Sequence, residues 1–402
     1  MDKKKSYILE GLAVLAVFVS GFIFRFKFLY CTTADTDCFT LWFNYIRDNG
    51  GIAAFKTFIG DYNAPYMWIL FLATLFPVRD IVMVKILAAL FDIPGFVVGF
   101  LFVRELALEA GKGKDLSRRL GEFGSALVWL SPITVGNSGY QGQLEGLWTF
   151  TGFLSVYFAH KKRPVLSMIM MGVAFGMKPQ GIFFLPFLFL IYYRSQVFSV
   201  LHFLIIPLTI QVLSIPAMIG GCPFYIFWEK FFTQTNLCPA VYYYYPNFWI
   251  WFRDLPYYVF GKVGIGMMLT VFLLYTVRFA KDSRERKWSM AMDLELALWS
   301  LMTCAMFLPV MHERYNYPAE VMLPVLAVTD KKYRVPAGVL MVSGLLCNGM
   351  SYYGWGKPEF YGLSLLNMAV YAFLTAGVIR TVCGRGAVTS SKVSAPVKGG
   401  AA

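Results

Sequence analysis

Apolar stretches of about 20 residues recur along nearly the whole of the 402-residue sequence. A stretch of this length matches the roughly 30 Å hydrocarbon core of a bilayer, where an α-helix satisfies its own backbone hydrogen bonds. Because 58% of the residues are hydrophobic and 15% are charged, an ordinary soluble domain is excluded. Hydropathy predicts an all-α, polytopic membrane protein with about 12–13 transmembrane helices, at 7–29, 65–78, 81–103, 120–136, 145–159, 164–177, 181–193, 198–219, 256–278, 291–310, 318–329, 333–350 and 361–381.

The formal net charge is +13, but the Lys and Arg residues lie in short clusters between the apolar stretches. This placement is typical of cytoplasmic anchors and argues against nucleic-acid binding. We therefore predict cytoplasmic positions for the clusters at 112–119, 160–163, 278–287, 331–334 and 380–385. Extracytoplasmic positions follow for four polar loops, at 30–64, 137–144, 220–255 and 311–317. Full crossings at both 65–78 and 81–103 would return the chain to the outer side, whereas the basic cluster after them is predicted inside. We therefore expect 65–78 to be tilted, re-entrant or only half-spanning.

The first apolar stretch, at about 7–30, follows three lysines and has no small-residue cleavage site. We expect a retained helix there rather than a cleaved signal peptide. Residues 1–383 are expected to form one membrane domain, and the polar tail at 384–402 to be disordered and cytoplasmic. Among the seven cysteines, Cys222 and Cys238 share one polar loop, where either a disulfide or two free thiols fits.

Two acids, Asp35 and Asp37, lie directly before the amphipathic, aromatic stretch at 41–46. A carboxylate within hydrogen-bond reach can accept the proton of a hydroxyl, and two acids can divide the roles of base and orienter. The alternative is that both are solvated loop residues or part of a helix N-cap.

Polar residues also border two later apolar stretches. Tyr62 and Asn63 precede Pro65, and they either contact a substrate or simply begin a helix. Gln143 and Glu145 lie between two apolar stretches, where substrate binding competes with interhelical hydrogen bonding as the explanation.

Cations with phosphate-binding potential occur in two further segments. Lys178 and Gln180 flank Pro179 within one apolar stretch, so Lys178 either binds phosphate or snorkels to the interface. The densest charged segment predicted outside, 312–318, contains His312, Glu313, Arg314 and Tyr315. Arg can bind phosphate through two donors, whereas a plain Glu–Arg ion pair is the alternative. A second His is missing from this segment, so the HExxH pattern of zinc peptidases is excluded.

Seven segments occur in an order that resembles the bacterial integral-membrane glycosyltransferases related to the GPI mannosyltransferase II family, within the GT-C superfamily. They are the acid and aromatic stretch at 35–42, NGGIAAF at 49–55, YNAPY at 62–66, NSGYQGQLEG at 137–146, MKPQGIFFLP at 177–186, YYPNFW at 244–249 and HERYNYP at 312–318. The resemblance covers about residues 10–330. One position departs from it, because many relatives have Gln-x-Asp where this chain has Gln143-Leu144-Glu145.

The resemblance implies a GT-C fold and inverting transfer of a mannose- or glucose-type hexose from a polyprenyl-phosphate donor to a hydroxyl of a glycan, lipid or protein. Asp35 is then the general base, with Asp37 as second choice, while Arg314, His312 and Lys178 are cations at the donor phosphate. The residues expected to position the substrate or its loops are Tyr62, Asn63, Gln143, Glu145, Gln180, Asn247, Glu313 and Tyr315. No cofactor is required, although the two aspartates can hold a divalent metal weakly. The implied location is the bacterial plasma membrane, with the active site facing outward.

Two other functions fit a bundle with charges at membrane depth. A transporter or a flippase of lipid-linked sugars predicts paired broken helices in related halves of the chain, and no such repeat is visible in the sequence. A non-catalytic scaffold subunit predicts that Asp35, Lys178 and Arg314 are freely replaceable.

Overall fold

A computed structural model describes residues 3–57, 60–195, 197–234, 239–282, 288–353 and 360–383. Every regular element in these ranges is a helix, which confirms the all-α prediction. The predicted tail at 384–402 and Cys238 lie outside the described residues. The α-helices are α1 (Lys3–Phe26), α2 (Ala34–Asp48), α3 (Ala64–Thr74), α4 (Asp80–Phe91), α5 (Ile93–Glu109), α6 (Lys114–Trp129), α7 (Pro132–Val135), α8 (Glu145–His160), α9 (Pro164–Met177), α10 (Leu185–Arg194), α11 (Ile205–Ile219), α12 (Ile226–Gln234), α13 (Tyr257–Asp282), α14 (Met290–Phe307), α15 (Tyr317–Thr329), α16 (Arg334–Tyr353) and α17 (Tyr361–Cys383).

Several of these helices are long and apolar enough to cross a membrane, consistent with a multi-pass membrane protein. Within the described ranges there are six such helices, at Lys5–Phe26, Asp80–Glu109, Val200–Ile219, Tyr257–Phe279, Met290–Phe307 and Tyr361–Thr381. Three shorter apolar helices, α3, α9 and α15, add to them. All thirteen predicted segments overlap helices, but the number of 12–13 crossings stays a prediction. The 11-residue α3 is about 16 Å long, roughly half the hydrocarbon core, which fits a half-spanning segment at 65–78.

Helix α14 lies at the centre of the bundle. It packs against α5, α8, α15 and α17, and 83% of its apolar window is buried inside the protein. Helix α1 is the opposite case, with 6% of its window buried. Its outward-facing leucines, among them Leu9, Leu12 and Leu15, are exposed to the surroundings of the bundle. An apolar helix with so little protein cover is stable only against lipid, so these side chains indicate the bilayer-facing surface.

Close approach of neighbouring helices depends on small residues, as is usual where lipid surrounds a bundle. At the crossing of α5 and α6, a Cβ on Gly99 would lie 2.3 Å from the backbone oxygen of Gly124. A Cβ on Gly124 would lie 2.4 Å from the oxygen of Gly99. Neither position therefore accepts a side chain without separating the two helices.

A buried ion pair fixes the break between α4 and α5. The Arg25 guanidinium donates to the Asp92 carboxylate at 3.0 and 2.9 Å, to the Ser138 hydroxyl at 2.9 Å and to the Trp129 carbonyl at 3.1 Å. Both Arg25 and Asp92 are 1% exposed. Removing one member of a buried pair leaves an uncompensated charge and typically costs about 3–5 kcal/mol. This pair therefore connects α1, the start of α5 and the π-helical turn Gly136–Tyr140.

The predicted polar loops lie together at one end of the bundle, here called the loop end. Gln234 donates to the carbonyl of Asp61, so the loops at 30–64 and 220–255 touch. The backbone N–H of Tyr245 donates to the carbonyl of Met311 at 2.9 Å, which joins the loops at 220–255 and 311–317. Cys222 is a buried free thiol that donates to the Phe55 carbonyl at 3.3 Å. Helix ends beside the basic clusters lie at the opposite end, here called the basic end; its cytoplasmic orientation stays a prediction.

Candidate functional site

Charged and aromatic side chains from three of the polar loops meet the break after α9 at the loop end. We call this group the loop-end cluster, and it consists of Asp35, Tyr62, Gln143, Glu145, Lys178, His312, Glu313, Arg314 and Tyr315. All nine were candidate site residues on sequence grounds. Their convergence places carboxylates, cations and phenols from distant parts of the chain within one partly buried volume.

Arg314 is the centre of the loop-end cluster. Its Nη1 lies 2.7 Å from Glu313 Oε1 and 3.5 Å from Asp35 Oδ2, and its Nε lies 3.3 Å from Glu145 Oε1. The side chain is 10% exposed. Nη2 takes part in none of these contacts. The expected alternative for this segment, a Glu313–Arg314 ion pair, is present, but it is one of three contacts with carboxylates.

Lys178 does not snorkel to the interface. It caps the C-terminus of α9 with an extended backbone (φ −146°, ψ 137°), because Pro179 cannot continue the helix. The side chain is 3% exposed and its ammonium pairs with Glu145, which is itself fully buried and also accepts from the Trp148 indole. The ammonium also lies 5.3 Å from the centroid of the Tyr62 ring. The charge at this break is therefore paired inside the protein.

Helix geometry separates Asp35 from Asp37. Both belong to the first turn of α2, whose N-terminus is capped by Thr33 and Thr36. Residues two apart on an α-helix point about 200° away from each other. The Asp35 carboxylate accordingly faces Arg314 and is 34% exposed, whereas Asp37 is exposed and faces away from the cluster's ion pairs. Of the two, Asp35 alone contacts the cluster within the described residues.

The surroundings of His312 favour the neutral form of its imidazole, whereas the resemblance implies a cation there. Its ring lies 4.3 Å from the Tyr243 ring and 4.9 Å from the Tyr315 ring. Burial, followed by the positive charges of Arg314 and Lys178, lowers the pKa of this imidazole to about 2. A neutral imidazole can donate one hydrogen bond and accept another.

Among the amide and phenol candidates, some polar atoms are hydrogen-bonded and others are not. Tyr62 donates its hydroxyl proton to Gln143 Oε1 at 2.9 Å, and burial raises the pKa of this hydroxyl, so it stays protonated. Asn63 donates to the Phe175 carbonyl at 3.4 Å. Each of three candidate residues has one buried polar atom with no hydrogen-bond partner among the described residues: Asn63 Oδ1, Gln143 Nε2 and Gln180 Oε1. Such atoms are uncommon in native proteins and call for an explanation.

Asn247 lies outside the loop-end cluster, and its side chain holds the loop at 220–255 in place. Its side chain accepts from the Trp249 N–H at 3.0 Å and donates to the carbonyls of Ala305 and Leu308 at 3.0 and 3.2 Å. It thereby ties the aromatic segment to the C-terminus of α14. These contacts fit the predicted loop-positioning role, and they leave no amide hydrogen of Asn247 for a sugar.

Backbone strain occurs directly before the HERYNYP segment. Val310 adopts φ 57°, a left-handed conformation that is unusual for a β-branched residue. Its N–H donates to the Val241 carbonyl at 3.3 Å. Strain of this kind costs about 1–3 kcal/mol and concentrates at functional sites. It holds the chain in the turn that brings His312 beside Tyr243.

Sequence reasoning missed two features near the site. Tyr243, beside His312, was hidden in a run of four tyrosines. Glu320 is 1% exposed on α15, and neither carboxylate oxygen has a hydrogen-bond partner among the described residues. Glu320 could have been found from the sequence as an acid inside the apolar stretch 318–329, because ionisable residues at membrane depth usually have a function.

The comparisons with known proteins add no family for this chain. No protein-family model matches it, and no curated protein is similar to it.

Proposed function

We propose that this protein is an inverting glycosyltransferase that moves a hexose from a polyprenyl-phosphate donor to an acceptor hydroxyl at the loop end. The observation that carries the proposal is the contact of Asp35 with Arg314, which pairs a partly exposed carboxylate with a permanently charged guanidinium. The membrane setting supports a lipid-linked donor, because six helices among the described residues are apolar and long enough to span a membrane. The order of sequence motifs supports the polyprenyl-phosphate class.

The chemical step needs one base and one site for negative charge. The acceptor oxygen attacks the anomeric carbon, the bond between that carbon and the phosphate oxygen breaks, and the acceptor proton passes to Asp35. The polyprenyl phosphate leaves with one more negative charge than it had in the donor. Attack from the face opposite the leaving group inverts the anomeric centre. A fixed cation beside the leaving oxygen lowers the barrier because it is already oriented before charge develops.

Arg314 is the residue best suited to that charge. Its contact with Asp35 is the longest of its three carboxylate contacts, and Asp35 is its most exposed partner. A donor phosphate that binds Nη1 and Nη2 replaces Asp35 there and releases this carboxylate to act as base. Glu145 and Glu313 keep the guanidinium oriented throughout. Lys178 supports the site indirectly, because its ammonium is bonded to Glu145.

His312 has a different task from the one first expected. As a neutral imidazole it can donate to a phosphate oxygen or to a sugar hydroxyl and accept from another hydroxyl. The unpartnered atoms of Asn63, Gln143 and Gln180 provide two acceptors and one donor of the kind that sugar hydroxyls satisfy. These groups are our candidates for sugar recognition.

The decisive experiment incubates purified protein with a panel of polyprenyl-phosphate sugars, with radiolabel in the sugar, and measures release of the labelled sugar from the lipid. Asp35→Asn keeps the size of the side chain but removes the base, so turnover should fall by about 10²- to 10⁴-fold. Asp37→Asn is the matched control and should keep most of the activity. Donor cleavage that is equal in both variants and in the wild type would exclude Asp35 as the base. Movement of labelled donor across proteoliposomes without any cleavage would instead indicate a flippase.

A further inference from the structure

We propose that the basic end holds a divalent transition-metal ion between Glu105, Glu109 and His160. This group is distinct from the loop-end cluster, because His160 ends the same helix, α8, that Glu145 begins. Fifteen residues of helix separate the two sites by about 22 Å. One ligand atom from each of the three side chains lies within 4.8 Å of the other two.

The orientation of His160 is set by a buried acid. Asp293 is fully buried, and its Oδ2 lies 2.8 Å from His160 Nδ1. Asp293 also accepts from Arg194 at 2.6 Å through Oδ1, and its Oδ2 can accept a hydrogen bond from His160 Nδ1. This contact directs the other ring nitrogen, Nε2, toward the two glutamates. At metal centres, the ring nitrogen of a ligating histidine that does not bind the metal usually donates to a carboxylate in this way.

The distances from His160 Nε2 to the two glutamates fit a metal ion bound between them better than a direct hydrogen bond. Nε2 lies 3.3 Å from Glu109 Oε1 and 4.0 Å from Glu105 Oε1. Although 3.3 Å is within hydrogen-bonding distance, the one hydrogen bond of this ring among the described residues is made through Nδ1. Two tetrahedral ligands about 2.1 Å from a metal are about 3.4 Å apart, and neither points directly at the other. The His160 Nε2–Glu109 Oε1 pair has this separation.

The surroundings leave suitable oxygen atoms for the ion. The Met290 N–H donates to Glu109 Oε2 at 2.7 Å, so Oε1 is the oxygen directed at the histidine. Lys161 lies 2.5 Å from Glu105 Oε1 and must share that oxygen or move aside on its flexible stem. The His160 side chain is 10% exposed and Glu109 is 29% exposed, so an ion has a route of entry from solvent.

The donor set selects the class of metal. One imidazole nitrogen and two carboxylate oxygens suit Zn²⁺ or Mn²⁺, whereas Mg²⁺ prefers an octahedron of oxygens and retains its water. A bound ion would join the ends of α5 and α8 to the start of α14 through Asp293. Its role would therefore be to fasten the basic ends of central helices, independently of any chemistry at the loop end.

The test titrates Zn²⁺, Mn²⁺ and Mg²⁺ separately into chelator-stripped, detergent-solubilised protein, with calorimetry for affinity and elemental analysis for stoichiometry. We expect one Zn²⁺ or Mn²⁺ per chain, weak or no binding of Mg²⁺, and a higher unfolding temperature with the ion bound. Asp293→Asn should weaken binding about 10- to 100-fold, and His160→Gln should weaken it further. His202→Gln is the matched control, since the sequence has three histidines and His202 lies elsewhere, bonded to Ser199 N–H.

The wild-type titration decides the matter even if His160→Gln does not fold, and Glu109→Gln provides a second, milder variant. Absence of Zn²⁺ and Mn²⁺ binding by folded wild-type protein at about 100 µM metal would overturn the proposal and indicate an ion pair with imidazolium. Equal binding by wild type, Glu109→Gln and His160→Gln would overturn it as well, because the metal would then lie elsewhere.

Discussion

The strongest test of the loop-end cluster is to remove the negative charge of Glu145. This fully buried carboxylate contacts the Lys178 ammonium, the Arg314 guanidinium at 3.3 Å and the Trp148 indole. Glu145→Gln keeps the shape of the side chain but leaves Lys178 with no carboxylate contact among the described residues. Breaking a buried ion pair from one side typically costs about 3–5 kcal/mol. For a chain of this length that loss corresponds to about 4–6 °C in the unfolding temperature.

A double-mutant cycle with Lys178→Met isolates the pair itself. The double variant Glu145→Gln/Lys178→Met removes both charges, so it should be more stable than the sum of the single losses predicts, with a coupling energy of about 1–3 kcal/mol. The assay is thermal unfolding of purified protein in one detergent at one pH, followed by intrinsic tryptophan fluorescence. If Glu145→Gln unfolded within 1 °C of the wild type, or if the coupling energy were close to zero, the buried pair would be refuted and Lys178 would have to reach the interface.

Three further predictions follow from other parts of the structure. Arg314→Lys should lower kcat for donor cleavage about 100-fold, because an ammonium cannot replace two guanidinium donors; unchanged turnover would remove Arg314 from the phosphate site. Below pH 6.5 the unfolded chain binds a proton at His312 that the folded imidazole does not, so this residue should lower the unfolding free energy of the wild type by about 2 kcal/mol between pH 7 and pH 5. His312→Gln should lack this part of the pH dependence; identical pH profiles of the two proteins would contradict this. Asp92→Asn should destabilise the fold by about 3–5 kcal/mol by leaving Arg25 without its anion, whereas Asp48→Asn, at an exposed pair, should cost about 0–1 kcal/mol in the same melts.

The sequence predicts the fold class well because each apolar stretch is a local signal. Helix existence depends on about 20 neighbouring residues, and all thirteen predicted segments overlap helices. The break at Lys178 is also local, since a charge next to Pro179 inside an apolar stretch requires both a partner and a change of direction. What cannot be read locally is the partner, because Glu145 is brought there by the packing of α8 on α9.

Two kinds of information required three dimensions. The contact of Asp35, and not of Asp37, with Arg314 depends on the phase of α2. From the sequence, only the resemblance ranks Asp35 first. The lowered pKa of His312 depends first on burial and then on two cations, one of them, Lys178, from a distant segment of the chain. Arg25 and Asp92 are each visible in the sequence as an isolated charge within or beside an apolar stretch. Many such charges exist, however, and tertiary contacts decide which of them pair.

The charge balance of the loop-end cluster explains why a donor would displace Asp35 rather than bind beside it. The carboxylates of Asp35, Glu145 and Glu313 exceed the cations Lys178 and Arg314 by one negative charge when His312 is neutral. Adding a phosphodiester to this arrangement brings a further negative charge into a partly buried volume, which is unfavourable unless another one leaves. Asp35 is the carboxylate that can move toward solvent, because it is 34% exposed while the other two are 0% and 5% exposed. In the proposed reaction, the acceptor proton would neutralise Asp35, and its transfer would offset the charge that the departing phosphate gains.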